Sequence, residues 1–511
     1  MPPSHPKTSQ LAKASELQTK GDPANLSPAQ QPSIARPQHL LALKYGALPK
    51  MLSRSSVCRG AQRAFRRQCA QPVQRRGLAA PASGSFQYQI DDAKGVKFAS
   101  RDLSGPTTTL ALVSRAGTRY QLLPGLTEGL EKFAFRGTER RSALRIVRES
   151  ELLGAELTSY HTRENLVIGA KFLRDDLPYF VELLSEVAAQ AKYAHHIFHE
   201  EVLPLIQTAH KKFLASTKEM AISSAHGLAF HRGLGSPVSP ASSTPYKTYL
   251  DTDYIEYFSK FAYAKPNFAI VANGAEHSEL SKWVNEFFEN VPAQAPENLL
   301  EAVRDKQTKY HGGEERIAHD SGNSMVLAFP GSSSVTGGFH KPEIAVLASL
   351  LGGRSNIKWS PGFSLLAKVA AGPGTSVETK SALYSDAGLL YVVIDGSAQN
   401  VAKTAMDAVK IIHNIAGGQI SKEDIVKAKA AAKFKELEFG QNIQAGLELT
   451  GSGLVHGSKA YQLDETGKAI GGVTDGQVKA AAKSLLESRA SVSAVGDLFV
   501  LPYAEDLGLK V

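Results

Sequence analysis

Cysteine is almost missing from this chain of 511 residues: there are two, Cys58 and Cys69, and none beyond them. That excludes disulfides, thiolate zinc sites, Cys-ligated iron–sulfur clusters, thiol nucleophiles and C-x-x-C-H haem attachment from the rest of the chain. Long hydrophobic runs are missing too. The most apolar stretch, residues 388–394, is strand-sized and far below the roughly 18 apolar residues of a membrane-spanning helix. Membrane contact is therefore expected only through partners. Acidic residues are absent from 51–78 and scarce before it. Residues 1–78 hold 13 of the 58 basic residues and 2 of the 49 acidic ones, leaving 45 and 47 for the remainder. The basic balance belongs to the leader, so the body lacks the clustered positive charge of a nucleic-acid binder.

What fills the leader is arginine. Residues 51–84 read MLSRSSVCRGAQRAFRRQCAQPVQRRGLAAPASG, with Arg59, Arg63, Arg66 and Arg67 at helical spacing among Ser and Ala. A basic, acid-free amphipathic segment of this kind reads as a mitochondrial presequence. The RRGLAA run places cleavage between Leu78 and Ala79. Residues 1–50, rich in Pro, Ser and Gln, read as a non-native or disordered extension ahead of a natural start at Met51.

The body repeats itself. Residues 267–279 (NFAIVANGAEHSE) run from an apolar strand through Gly274 into a helix start, and 491–505 (SVSAVGDLFVLPYAE) do the same 222 residues later. The helical stretch 200–216 matches 422–438 at that offset. Between them, the strand 166–172 and helix 177–189 answer 389–394 and 401–415. A period this long means two homologous domains and not a solenoid. Each half opens with an apolar strand, 107–114 and 325–329, and continues with more strands and paired helices. The expected class is α+β, each domain a mostly antiparallel sheet covered on one face by helices. The expected partition is 86–295, a polar linker 296–313, and 314–511, with 351–375 an ordered loop in the second domain.

Residues 124–138 (PGLTEGLEKFAFRGT) carry the one stretch with the frame of a catalytic motif. Pro124 and Gly137 bracket a short helix over 126–135. In the inverted zinc motif H-x-x-E-H, two His at i and i+4 hold the metal and the Glu activates water. Here Glu128 and Lys132 occupy the two His positions, and Glu131 stands as the base. A protonated Lys has no lone pair to offer a metal. Glu128 and Lys132 are spaced for an i, i+4 ion pair, worth about 0.3–0.5 kcal/mol if exposed. Taken alone, the three charges also fit an amphipathic surface helix.

The surrounding residues resemble the pitrilysin-type metallopeptidase family, whose members read G-S-R-x-E, then G-x-x-H-x-x-E-H, then F-x-G-T. Gly117, Thr118, Arg119, Gly125, Glu131, Phe135, Gly137 and Thr138 fall in step with that pattern. The family's third ligand, a Glu about 75 residues on, would fall near Gln207–Ala209, where the sequence has no carboxylate. The resemblance spans nearly all of 100–511 and implies two homologous halves, no catalytic residue, no bound metal and no cofactor. Within the family the likeness is strongest to the non-catalytic core subunits of mitochondrial ubiquinol–cytochrome c reductase, through 350–371 (LLGGRSNIKWSPGFSLLAKVAA) and 382–395 (ALYSDAGLLYVVID). That likeness implies a peripheral, matrix-side place on the inner membrane. The implied partners are core protein 1 and the membrane cytochrome subunits, with presequence peptides as a further ligand. The alternative it leaves is the alpha subunit of the mitochondrial processing peptidase, which also lacks the ligands but feeds substrate through a glycine-run loop. Here 350–371 holds only Gly352-Gly353 in succession.

Other features weigh less. His195 and His199 are i, i+4 neighbours able to share a metal, with solvated or capping histidine as the preferred reading. GGRSNIKWSPG lacks the phosphate-loop arrangement, and no G-x-S-x-G elbow marks a nucleophile. Asp386 and Gly388 are expected to end a turn before a strand.

Overall fold

Strands whose two faces are both apolar cannot be left half-covered, and this requirement organises the molecule. The computed structural model describes residues 87–102, 104–239, 250–302, 308–353, 362–370 and 374–511. The expected extension 1–50, the presequence with its Leu78/Ala79 cut, and much of 350–371 lie outside the described residues. No described helix is long and apolar enough to cross a membrane.

Two sheets carry the fold. The first contains β1 (Gln89–Ala93), β2 (Val96–Arg101), β3 (Thr107–Ser114), β4 (Glu156–His161), β5 (Leu166–Leu173) and β6 (Phe268–Asn273), in the order β1-β2-β6-β3-β5-β4. The second contains β7 (Gly313–Ala318), β8 (Asn323–Pro330), β9 (Ser376–Leu383), β10 (Gly388–Gly396) and β11 (Ser491–Gly496), in the order β7-β11-β8-β10-β9. Without β1 the two orders are identical. Even the exceptions agree: β2–β6 and β7–β11 are parallel, and every other pairing is antiparallel. The internal duplication is therefore one of topology as well as sequence, and the α+β class holds.

Alternation along each strand sends neighbouring side chains to opposite faces. On the first sheet Leu110, Leu112, Ile168 and Ile270 face their own half's helices, meeting Leu177, Phe180, Val181 and Leu184 of helix Leu177–Ala189. Ala111, Val113, Val167 and Val271 face the other way and meet Leu447, Leu454 and Val455 of helix Ile443–Gly457, which comes from the second half. The second sheet mirrors this. Leu327, Val392 and Val492 pack on their own helices, while Val326, Leu389, Val393 and Val495 pack on Ala221, Ala225 and Ala229 of helix Thr217–Phe230, from the first half. Each half thus covers its partner's second sheet face with one helix, an exchange that the expected one-face covering did not include.

Small residues make the exchange possible. Ala221, Ala225 and Ala229 form an i, i+4, i+8 stripe that lets the helix lie close to the sheet. Gly451 does the same in the other direction, since a Cβ there would lie 2.5 Å from Val113 Cβ. Helix Glu297–Ala302 lies within the stretch 296–313, and helix Leu365–Val369 lies within 351–375.

Candidate functional site

Helix Leu126–Phe133 starts from Gly125, which adopts a left-handed backbone (φ 93°). Leu126, Leu130 and Phe133 anchor it in the first core. Its polar residues are not at the surface either: Glu128 and Glu131 are buried, and Lys132 is half-buried. The surface-helix reading therefore fails, as does the Glu128–Lys132 pair. Lys132 Nζ instead donates to Glu131 Oε1 at 2.5 Å.

The partner that the sequence did not disclose is His161, the last residue of β4. Its Nδ1 bonds Glu131 Oε2, and its Nε2 faces the Val238 carbonyl oxygen at 3.1 Å. Both neighbours are acceptors, so both ring nitrogens must carry protons and the ring is an imidazolium. Burial works against that charge, but the hydrogen bond and attraction of Glu131 outweigh it and raise the His161 pKa. Burial likewise resists ionisation of Glu131, yet His161 and then Lys132 hold its carboxyl below the usual range. Glu128 lacks such help. Its Oε2 is buried with no hydrogen-bond partner, and burial pushes its pKa up to about 7, only partly offset by His161 and Lys132. The result is one carboxylate held between two cations, with a second, easily protonated acid beside it. Gln207 and Thr208, at the expected third position, lie in helix Leu203–Leu214, where Thr208 Oγ1 donates to the Pro204 carbonyl at 2.8 Å.

A second cluster fastens the halves together. Arg119 donates to Glu164 Oε1 at 2.7 Å and, in a fork, to Asp386 Oδ1 and Oδ2 at 2.6 and 2.9 Å. Ser385 adds its backbone N–H and hydroxyl to Glu164, at 2.9 and 2.7 Å. Burial raises the Glu164 pKa despite these contacts, whereas Asp386, less buried and gripped by the guanidinium, falls to about 2. Asp386 does sit in the turn before β10, as expected, but its larger role is to hold Arg119. Gly117 is required nearby, because a Cβ there would come within 2.3 Å of the Glu164 backbone. Between the halves opens a cavity of about 760 Å³, lined in part by Glu448 and Glu436. Glu448 accepts from Tyr160 and Thr162 hydroxyls, both at 3.2 Å.

Residues 97–239 match the insulinase family (peptidase family M16), and 250–432 match the peptidase M16 inactive domain. The cytochrome b-c1 complex subunit 2 of Neurospora crassa is 52% identical over 463 residues, covering 90% of this chain and 100% of that protein. The chain belongs to the cytochrome b-c1 complex subunit 2 branch of peptidase family M16. The Schizosaccharomyces pombe subunit 2 is 36% identical over 83% of the chain and 95% of its own length. More distant is the mitochondrial-processing peptidase subunit alpha of Solanum tuberosum, 23% identical over 80% of the chain. The M16-matched region 97–239 contains both Arg119 and the Glu131–His161 pair. His161 and Glu164 stand in one short run, HTREN (161–165), that begins on the last residue of a strand of mixed polarity. That run offers no spacing motif by which sequence alone could single them out.

Proposed function

We propose that this chain is a non-catalytic structural subunit of mitochondrial ubiquinol–cytochrome c reductase, respiratory complex III, needed for the assembly and stability of that complex. The observation that carries this reading is the 52% identity to a cytochrome b-c1 subunit 2 along that protein's whole length. The arginine-rich segment 51–78, which has no acidic residue, supports a mitochondrial address, with Leu78/Ala79 as the cleavage point. In this reading the chain lies on the matrix side of the inner membrane, pairs with core protein 1 and supports the membrane cytochrome subunits. An obligate assembly of this kind buries interfaces of about 2,000 Å² or more.

The M16 family implies a zinc ion at the helix Leu126–Phe133, and the residues do not fit one. Lys132 has no lone pair, both Glu131 oxygens are engaged, and the two cations already neutralise that carboxylate. Glu128, Glu131 and Lys132 are accordingly read as a degenerate zinc motif with its positive charge supplied by Lys132 and His161. The processing-peptidase alpha reading rests on a weaker match and lacks the glycine-run loop in 350–371. Deleting the chain is expected to deplete the haem-bearing subunits of complex III in isolated mitochondria. Normal levels of those cytochromes in the deletion strain would overturn the reading.

A further inference from the structure

His195 and His199 lie one turn apart at the start of the helical run that continues through Leu203–Leu214. Their Nε2 atoms face each other at 3.1 Å. Asp251, the N-cap of helix Thr252–Ala262, brings Oδ1 to 3.8 Å from His195 Nε2. That oxygen is fixed in place, because it accepts from Thr252 N–H at 2.7 Å and from the Thr252 hydroxyl at 3.2 Å. The three donor atoms all lie within 4.8 Å of one another, and among the described residues no other group of His, Cys, Asp or Glu converges in this way.

We propose that His195, His199 and Asp251 form a binding site for a divalent first-row transition-metal ion, zinc foremost, with solvent completing the coordination. Zinc takes imidazole nitrogen and carboxylate oxygen at about 2.0–2.2 Å, and two ligands of a tetrahedral ion then lie roughly 3.3 Å apart. The observed 3.1 and 3.8 Å bracket that separation, so small rotations of exposed side chains suffice. Two imidazoles and a single carboxylate suit zinc, copper or nickel and give calcium or magnesium too few oxygens. His199 sits in the π-helical turn Phe198–Val202, a local widening that recurs at functional positions and here sets the aim of its ring. The metal replaces one N–H···N contact by two nitrogen–metal bonds. It ties the entry to helix Leu203–Leu214 to the first turn of helix Thr252–Ala262. None of these residues belongs to the Glu131 cluster, so the site is distinct from the degenerate zinc motif.

The test uses the full chain without a histidine tag, stripped by chelator and titrated with Zn²⁺ against a chromophoric competitor. One equivalent is expected to bind. Affinity should fall at least about tenfold in His195→Ala, His199→Ala and Asp251→Asn, and stay unchanged in His196→Ala. Co²⁺ bound to the wild type should show the visible absorption of a four-coordinate ion, and His199→Ala should lose it. Metal-free unfolding curves that coincide between variants and wild type separate ligand loss from misfolding. The proposal is overturned if His199→Ala binds zinc as the wild type does, or if the wild type binds no better than the His195→Ala/His199→Ala double variant.

Discussion

Replacing Arg119 by alanine removes the cation that joins Glu164 of the first half to Asp386 of the second. The guanidinium side chain is 3% exposed, the Glu164 side chain 5% and the Asp386 side chain 26%. Breaking a buried pair while leaving its charge behind destabilises by about 3–5 kcal/mol. Glu164 keeps both Ser385 contacts and Asp386 keeps the Thr308 N–H at 3.0 Å, so the lower end, about 3 kcal/mol, applies. The assay is urea unfolding at neutral pH, following fluorescence and far-ultraviolet circular dichroism together. A second variant isolates the cause. Arg119→Met with Glu164→Gln and Asp386→Asn leaves no stranded charge and should regain most of the loss. The wild type should also weaken as pH falls from about 4 toward 2, because Asp386 contributes stability only while ionised and its folded pKa is about 2. The reasoning fails if Arg119→Ala unfolds within about 1 kcal/mol of the wild type, or if the neutral triple variant is no more stable than Arg119→Ala.

Three further outcomes follow from the same structure, and a fourth from the leader sequence. Glu128 titrates near 7 in the folded chain and near 4.5 when unfolded, so its burial penalty appears as pH rises from about 4.5 to 7; Glu128→Gln should flatten the stability–pH curve in that window, measured by thermal unfolding. His161→Gln should cost about 1.5–3 kcal/mol at pH 6, the worth of a charged hydrogen bond. That cost should shrink as pH rises through the raised His161 pKa, since the wild-type contribution is then lost. Gly451→Leu should destabilise by about 1–3 kcal/mol in urea titration, because the side chain enters the space that Val113 occupies on the first sheet. N-terminal sequencing of the protein from mitochondria should begin at Ala79.

How much of this was legible in the sequence depended on burial. The interior strands β3, β5, β6, β8, β10 and β11 announced themselves as apolar runs, because both of their faces are covered, whereas β2 (VKFASR), also interior, is too mixed in polarity to do so. The edge strands β1, β4, β7 and β9 did not. QIDDA and GEERIA are too polar to rise above turn-like background, and only pairing in the sheet defines them. Helix 177–189, named as part of the internal duplication, was legible to the residue. The exchange of helices was not, because an alanine stripe in Thr217–Phe230 states that a close surface is met and not which sheet provides it. At the site, the frame around Glu131 was visible and its partner was not. His161 is brought there by β4 from 30 residues away, and nothing in the local order of HTREN signals that return.

The claim that this chain builds a cytochrome complex, and does not process peptides, is tested most directly by native electrophoresis of detergent-solubilised mitochondria carrying the tagged chain. The account predicts that the tag migrates with the haem-stained band of complex III. A tag that runs apart from haem, in a soluble fraction that cleaves presequence peptides, would contradict it.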